Sequence, residues 1–128
     1  MKKRVLVVDD EQGYRQMYRF ILEPLNVTVD EACNGKEAVD RVRERPYDLV
    51  LMDVHMPVLS GYEAFKLMKE IRPGQKVVIF SSSSDPQFTL ENQSLKEGAI
   101  KCFYKPVDAE IIERLLTDET TGLEPIDP

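Results

Sequence analysis

The chain has 128 residues, of which 42% are hydrophobic and 31% are charged, and its formal net charge is −6 at pH 7. This composition predicts one soluble globular domain, and the net acidity argues against non-specific binding to nucleic acid or to a membrane surface. No apolar run approaches the roughly 20 residues that span a bilayer, and the apolar stretch behind the basic N-terminus is too short for a signal peptide, so we expect a cytoplasmic protein.

The first part of the chain predicts two strands, each followed by a helix. Residues 5–8 are apolar and precede two aspartates, which is typical of a buried strand. Pro24 is expected to stop or bend the helix that follows. One face of that helix is apolar and comprises Tyr14, Met17, Tyr18, Ile21, Leu22 and Leu25. Residues 27–29 predict a short second strand, and Asn34 is a candidate cap for the second helix.

The remainder of the chain continues the alternation of strands and helices. Residues 49–53 predict an apolar strand that ends in Asp53, and an amphipathic third helix follows Gly61. Residues 77–80 predict a fourth strand, and a poorly patterned fourth helix is expected to reach about Glu97. Residues 100–104 predict a fifth strand, and Asp108 opens a last helix. The acidic, proline-containing residues 118–128 are expected to form a disordered tail.

This alternation predicts an α/β fold, a doubly wound parallel sheet with helices on both faces. Ligands of such sheets bind outside the carboxyl ends of the strands. Polar side chains follow four of the five predicted strands at that end: Asp9, Asp10, Asp53, Ser81 and Lys105. We therefore expect three carboxylates, a hydroxyl and an ammonium group at one rim of the sheet.

Three neighbouring carboxylates predict a cation site. Two unit charges about 4 Å apart interact by roughly 1 kcal/mol in water and by roughly 4 kcal/mol at an effective dielectric constant near 20. Ligands that are all oxygen suit Mg²⁺, or Mn²⁺ in its place. A carboxylate can also act as a nucleophile and become an aspartyl phosphate, with a hydroxyl and an ammonium group binding the phosphoryl oxygens.

The sequence gives little indication of a zinc site, of a histidine-dependent catalytic triad or of a dinucleotide-binding loop. Cys33 and Cys102 lie in no CxxC or Cys/His cluster, so zinc is not expected. His55 is the only histidine, and a Ser-His-Asp arrangement would depend on it alone. The turn after the first strand is Asp-Asp-Glu-Gln-Gly, which lacks the glycine-rich loop of flavin or dinucleotide binders.

Several segments together resemble the receiver domain of two-component response regulators. They are Val7-Val8-Asp9-Asp10-Glu11, Leu51-Met52-Asp53-Val54-His55-Met56-Pro57 with Gly61, Phe80-Ser81, and Lys105-Pro106. Each segment alone is a weak signal, but their order at successive strand ends is specific. The resemblance covers roughly residues 2–117, so residues 1–117 are interpreted as the domain. It implies the flavodoxin-like strand order 2-1-3-4-5 in a (βα)5 domain.

The resemblance also implies a role for each site residue. Asp53 would accept the phosphoryl group, and Asp10, Asp53 and the backbone carbonyl of His55 would ligate Mg²⁺. Asp9 would act mainly through a water molecule on the metal. Ser81 and Lys105 would contact the phosphoryl group, and Ser81 would then move and shift the loop that follows it.

Further implications concern partners and output. The donor would be a phosphohistidine on a sensor histidine kinase or a phosphotransfer protein. The output face would comprise the fourth helix, the fifth strand and the fifth helix, and would act on an unknown output protein or domain. The chain would be a monomer or a phosphorylation-dependent homodimer, and its chemistry would be limited to its own phosphorylation and dephosphorylation rather than to turnover of a separate substrate.

One position departs from the family pattern. The switch aromatic of the family usually stands three residues before the lysine of the fifth strand, where this chain has Cys102. This departure leaves open a degenerate receiver that acts as a phosphorylation-independent binding or scaffold module. An aspartate-nucleophile phosphatase ranks last, because the aspartates here are adjacent and no insertion encloses a substrate.

Simpler interpretations of single residues also remain open. Asp10 alone is a candidate N-cap of the first helix, and Lys105 alone would be a solvated surface lysine. Cys102 fits a small buried apolar residue better than a redox sensor.

Overall fold

The computed structural model describes residues 2–53, 58–82, 101–105 and 109–116, with the side chains of Tyr62, Ser81, Ser82 and residues 101–105 excepted. The strands are β1 (Lys3–Val8), β2 (Val27–Ala32), β3 (Leu49–Asp53), β4 (Val77–Ser82) and β5 (Lys101–Lys105). The helices are α1 (Gln12–Leu22), a 3-10 turn (Glu23–Leu25), α2 (Gly35–Glu44), α3 (Gly61–Ile71) and the C-terminal helix (Ala109–Leu116).

The five strands form one parallel sheet in the order β2-β1-β3-β4-β5. This order confirms the predicted doubly wound α/β architecture. Successive strands are added on one side of β1 as far as β2 and on the other side from β3 onward, so the switch point lies between β1 and β3. These two strands pair in register from Val5–Leu49 to Val8–Met52. The carboxyl ends of these two strands therefore flank the crevice in which such folds bind ligands.

The sheet is buried on both faces, because alternate strand residues point to opposite sides. One core lies between the sheet and α2 and α3, and its strand residues include Leu6, Val8, Val50, Met52 and Ile79. The other lies between the sheet and α1 and the C-terminal helix, and its strand residues include Val5, Val7, Leu51, Val78 and Phe80. Near-continuous apolar strands are thus explained by two-sided burial.

The first helix ends close to where Pro24 predicts. It stops at Leu22, and the chain continues as a 3-10 turn with proline near its start. Asn26 follows with φ 61°, a left-handed conformation that asparagine tolerates. The expectation that Leu25 lies on the inward helix face was wrong. Leu25 is exposed because the tighter turn breaks the helical period.

Side-chain caps fix the starts of α2 and α3. The Asn34 side chain accepts a hydrogen bond from the Glu37 N–H at 2.9 Å, as the sequence predicts. The Ser60 hydroxyl accepts one from the Glu63 N–H at 3.2 Å. Each cap satisfies a donor that the first helical turn would otherwise leave unpaired.

Three strands, β2, β4 and β5, end slightly later in the chain than predicted. β2 continues through Asp30 and Glu31 to Ala32, β4 continues to Ser82, and β5 includes Lys105. The fourth predicted helix, the residues around His55 and the tail 118–128 lie outside the described residues. Within the described part of the chain, no helix has the length and apolar character that crossing a membrane requires.

Candidate functional site: an acidic cluster at the switch point

Asp9, Asp10 and Asp53 converge at the carboxyl ends of β1 and β3. Each offers a carboxylate oxygen, and these oxygens lie within 4.8 Å of one another. Asp9 is fully buried and Asp53 is 7% exposed, whereas Asp10 is exposed. The structure thus brings together the three carboxylates that the sequence predicts, with solvent access on the Asp10 side.

Asp9 is fixed through its backbone and one carboxylate oxygen. Its N–H donates to the Ala32 carbonyl at 3.1 Å, which extends the pairing of β1 with β2 by one residue. Its Oδ1 accepts the Glu11 N–H at 3.0 Å. The Asp9 carbonyl accepts a hydrogen bond from Arg15 Nη1 at 2.6 Å. The turn that carries the aspartate pair is therefore held in place by the protein itself.

Asp10 does not cap the first helix. The N-cap position belongs to Glu11, and within the described residues no side chain caps this helix. The simpler interpretation of Asp10 as a helix cap was therefore wrong, and its carboxylate is a member of the acidic cluster instead.

A network of two arginines and one glutamate lies beside the cluster. Arg15 Nε donates to Glu31 Oε1 at 2.9 Å, and Arg19 Nε donates to Glu31 Oε2 at 2.8 Å. Arg19 Nη2 also donates to the Val29 carbonyl at 3.1 Å. Burial raises the pKa of Glu31, but the hydrogen bonds from Arg19 and Arg15 outweigh it and hold the pKa below its ordinary value. Glu31 therefore remains ionised between the two arginines.

Tyr18 supports the site from the α1 face of the sheet. It is 1% exposed, and its ring packs against Phe80 with a centroid distance of 6.0 Å and an interplanar angle of 43°. Phe80 pairs in register with Asp53. Burial, followed by the nearby Asp9 and Asp53 carboxylates, raises the pKa of Tyr18. A neutral aromatic ring thus packs next to the acidic cluster.

Residues 58–60, which directly precede α3, pack against the start of α2. A Cβ atom on Gly35 would lie 2.2 Å from the Leu59 carbonyl oxygen. Val58 has φ 72°, which is unfavourable for a β-branched residue, and its side chain is 77% exposed.

The remaining predicted site residues are only partly covered by the described chain. Ser81 lies inside β4 rather than after it, in register with Tyr104, and Lys105 ends β5 in register with Ser82. Cys102 lies in β5 in register with Ile79. The side chains of these three residues, and all of His55, lie outside the description.

Sequence patterns did not identify Arg15, Arg19 and Glu31 as neighbours of the site. Glu31 was expected to follow the second strand, because only residues 27–29 carry β-branched alternation. The available signal was the spacing of Arg15 and Arg19, which are four residues apart on α1 and so share a side of the helix.

The donor set of the acidic cluster fits a hard divalent cation. All three groups are carboxylates, which Mg²⁺ and Mn²⁺ prefer, and the exposed side leaves room for water ligands. Two of the carboxylates are buried, where mutual repulsion is strongest and compensation by a cation is most favourable. The arrangement can therefore hold a cation next to a carboxylate nucleophile.

The sequence of this chain matches a known protein family and curated relatives. Residues 5–117 match the family of the response regulator receiver domain. A chemotaxis protein CheY of Thermotoga maritima is 35% identical over 117 residues, which cover 90% of this chain and 96% of that protein.

Solved structures share the fold, and the sequence relationship gives the family. A response regulator receiver domain from Clostridium thermocellum is 30% identical, with a TM-score of 0.81 over 91% of this chain and 92% of that one. The receiver domain of a Pseudomonas aeruginosa sensor histidine kinase, whose structure has a magnesium ion coordinated in the active-site cleft, is 22% identical. Its TM-score is 0.83 over 92% of this chain and 97% of that one. The chain belongs to the receiver-domain family of two-component response regulators, as the strand-end motifs predict.

Proposed function

We propose that this receiver domain accepts a phosphoryl group on Asp53 in a Mg²⁺-dependent reaction. The observation that carries the proposal is the convergence of the Asp9, Asp10 and Asp53 carboxylates within 4.8 Å at the switch point of the sheet. Asp53 is the last residue of a fully buried strand, so its backbone is fixed while its carboxylate reaches the crevice.

Asp10 and Asp53 would hold the metal together with the backbone carbonyl of His55, and Asp9 would act mainly through a water ligand. When bound, Mg²⁺ (or Mn²⁺) would neutralise the charge of the phosphoryl oxygens and of the carboxylates. The Pseudomonas receiver domain, which has the same fold, holds a magnesium ion in its active-site cleft. The carboxylate oxygens of the acidic cluster in this chain are also donors that suit Mg²⁺.

The transfer step needs a nucleophile and a leaving group. An Asp53 carboxylate oxygen would attack the phosphorus of a phosphohistidine, forming a P–O bond as the P–N bond breaks. The imidazole leaves and takes up a proton. The Ser81 hydroxyl would donate a hydrogen bond to one phosphoryl oxygen, and the Lys105 ammonium group would pair with another. Attack of water on the phosphorus of the aspartyl phosphate would release inorganic phosphate and return the Asp53 carboxylate.

The phosphoryl donor would be a sensor histidine kinase or a phosphotransfer protein. Movement of Ser81 toward the phosphoryl group would shift the loop after β4, and so alter the output face that includes β5 and the C-terminal helix. A partner protein, an output domain or a second copy of the chain would read that face. With Cys102 in place of the usual aromatic residue, this signal would travel mainly through the Ser81 loop. The domain would therefore be a switch rather than an enzyme with a separate substrate.

Intact-mass spectrometry tests the proposal. The chain is incubated with Mg²⁺ and acetyl phosphate, or with a phosphorylated histidine kinase. We expect one phosphoryl adduct that disappears with a chelator and in Asp53→Asn. Asp40→Asn, a surface change on α2, should keep the adduct. An unmodified mass with every donor, or an adduct that persists in Asp53→Asn, would refute the proposal.

A further inference from the structure

Arg15 connects the acidic cluster to the edge strand of the sheet. Its Nη1 donates to the Asp9 carbonyl at 2.6 Å, and its Nε donates to Glu31 Oε1 at 2.9 Å. The Arg15 side chain is only 16% exposed. One guanidinium group therefore joins the turn after β1 to β2 from a position on α1.

The Asp9 carbonyl belongs to the peptide group that links Asp9 to Asp10. A donor fixed on this oxygen restricts rotation of that peptide, and hence the directions in which both side chains leave the backbone. Two further bonds of Asp9 within the described chain, from its N–H and to its Oδ1, have backbone partners. Arg15 thus contributes a side-chain contact that orients the aspartate pair through the backbone.

Glu31 and Arg19 fix Arg15 in turn. Each oxygen of the Glu31 carboxylate accepts a hydrogen bond from one arginine, at 2.9 Å from Arg15 and 2.8 Å from Arg19. Arg19 is itself held by the Val29 carbonyl at 3.1 Å. A planar guanidinium group with two partners has little freedom, so the bond to Asp9 is directed as well as strong.

The charge of Glu31 also matters for a cation at the cluster. A positive guanidinium group one peptide away from the carboxylates would repel a divalent cation or pair with the carboxylates itself. Glu31 balances that charge and directs the group to the carbonyl instead. Without Glu31, the Arg15 guanidinium group would be free to turn toward the carboxylates and compete there with the divalent cation.

We propose that Arg15 is a positioning residue for the metal site, and that Glu31 acts through Arg15 to set the affinity of the aspartate cluster for Mg²⁺. This inference rests on the proposed Mg²⁺ site. Groups that orient metal ligands change metal affinity by roughly 10–100-fold when they are removed. Because Arg15 contacts the peptide group between Asp9 and Asp10 and no carboxylate of the cluster in the described contacts, we expect the lower end of this range.

Isothermal titration calorimetry with MgCl2 tests the inference without any phosphoryl chemistry. Arg15→Gln should raise the Kd for Mg²⁺ roughly tenfold, and Glu31→Gln should raise it by a smaller factor. The double variant should match Arg15→Gln alone, because Glu31 acts through Arg15. Arg15→Lys keeps the charge but cannot reach both partners, so it should restore only part of the affinity.

Arg4→Gln is the matched control. It removes the ion pair between Arg4 and Asp30, with an Nη1–Oδ2 distance of 3.2 Å, on the other face of the same strand pair. It should lower the urea midpoint of unfolding yet leave the Kd for Mg²⁺ within about twofold of the unchanged chain. This comparison separates a general loss of stability from a loss of site geometry.

Three outcomes would overturn the inference. The first is an unchanged Kd for Mg²⁺ in a folded Arg15→Gln variant. If Arg15→Gln does not fold, an unchanged Kd in Glu31→Gln serves instead. Either result removes the positioning role while the proposed function stands. Additive effects in the double variant would show that Glu31 acts independently of Arg15. If the unchanged chain binds no Mg²⁺, both the inference and the proposed metal site fail.

Discussion

Gly35 and Leu59 approach so closely that a Cβ atom on Gly35 would lie 2.2 Å from the Leu59 carbonyl oxygen and 2.9 Å from its carbon. The obstacle is backbone, so a side-chain rotation cannot relieve it. The contact joins the first residue of α2 to the segment between β3 and α3.

Gly35→Ala should therefore destabilise the fold by roughly 1–3 kcal/mol, because α2 and this segment must move apart. Urea unfolding followed by circular dichroism measures the change. Gly13→Ala is the control: among the described residues, no heavy atom lies within 4 Å of a Cβ there, and alanine favours a helix by up to about 1 kcal/mol. Equal stability of the Gly35→Ala variant and the unchanged chain would contradict the contact.

Two described non-glycine residues have positive φ, Asn26 at 61° and Val58 at 72°. Asparagine suits this conformation and valine does not. Since Val58 is 77% exposed, Val58→Asn loses little packing and should stabilise the fold by roughly 0.5–1 kcal/mol. The reverse change, Asn26→Val, should destabilise it by about 1–2 kcal/mol. Thermal unfolding of both variants decides the matter, and a lower Tm for Val58→Asn would count against the strained backbone.

Gln75 completes the backbone pairing of Tyr47, which lies two residues before β3. Its Oε1 accepts the Tyr47 N–H at 3.0 Å, and its Nε2 donates to the Tyr47 carbonyl at 2.9 Å. Gln75 is 4% exposed, so Gln75→Ala leaves two buried groups without partners and should cost about 2–4 kcal/mol. Gln16→Ala on the exposed side of α1 should change stability by less than about 0.5 kcal/mol. Similar urea midpoints for the two variants would exclude this role of Gln75.

The shifted pKa values of Asp30 and Tyr47 predict a loss of stability at each end of the pH scale. Burial raises the pKa of Asp30, but hydrogen bonds from Tyr47 and Arg4 outweigh it and lower the pKa below its ordinary value. Burial and the bond to Asp30 raise the pKa of Tyr47 to about 12. Ionised Asp30 therefore contributes to the free energy of unfolding at pH values above its pKa in the unfolded chain. This contribution is lost as the pH falls through its lower pKa in the folded protein. The Tyr47 contribution is present below about pH 10 and is lost as the pH rises toward about 12.

Urea unfolding at several pH values measures both effects. Asp30→Asn should weaken the loss of stability in acid, where Glu31 also contributes because its pKa is lowered. Tyr47→Phe should flatten the loss between about pH 10 and about 12. An alkaline profile that is identical in Tyr47→Phe and the unchanged chain would contradict the raised pKa.

Removal of one carboxylate should change stability differently with and without metal. Asp10→Asn reduces repulsion among the three aspartates, so without Mg²⁺ the variant should be more stable by about 1 kcal/mol. Saturating Mg²⁺ at 100 times the Kd should stabilise the unchanged chain by about 2.7 kcal/mol and the variant far less. Differential scanning fluorimetry with and without MgCl2 checks both expectations. Equal Mg²⁺ shifts in the two proteins would place the metal away from Asp10.

The main strands and the cluster of aspartates were predictable because each depends on local pattern plus one topological rule. Buried parallel strands are apolar runs, and their carboxyl ends meet at one rim, so Asp9 and Asp53 were expected together. Asp10 taken alone also fitted a helix cap, but its place in the set of strand-end residues favoured the acidic cluster. The structure places Glu11 at the N-cap of α1 and the Asp10 carboxylate in the acidic cluster.

The features that sequence patterns missed depend on contacts between distant segments. Glu31 lies at a strand end with no alternation to mark it, and its two arginine partners are on another element. Gln75 pairs with Tyr47 across 28 positions of sequence. The close approach of Gly35 to Leu59 likewise depends on how α2 packs against the segment before α3. Such contacts leave no periodic signal in a single sequence.

The most direct test of the central claim identifies the residue that carries the phosphoryl group. After phosphorylation with acetyl phosphate and Mg²⁺, borohydride reduces an aspartyl phosphate to homoserine, and peptide mass spectrometry then locates the altered residue. The account predicts conversion at Asp53 alone, with Asp9 and Asp10 unchanged. Conversion at Asp9 or Asp10, or none at Asp53 in a chain that carries the adduct, would contradict it.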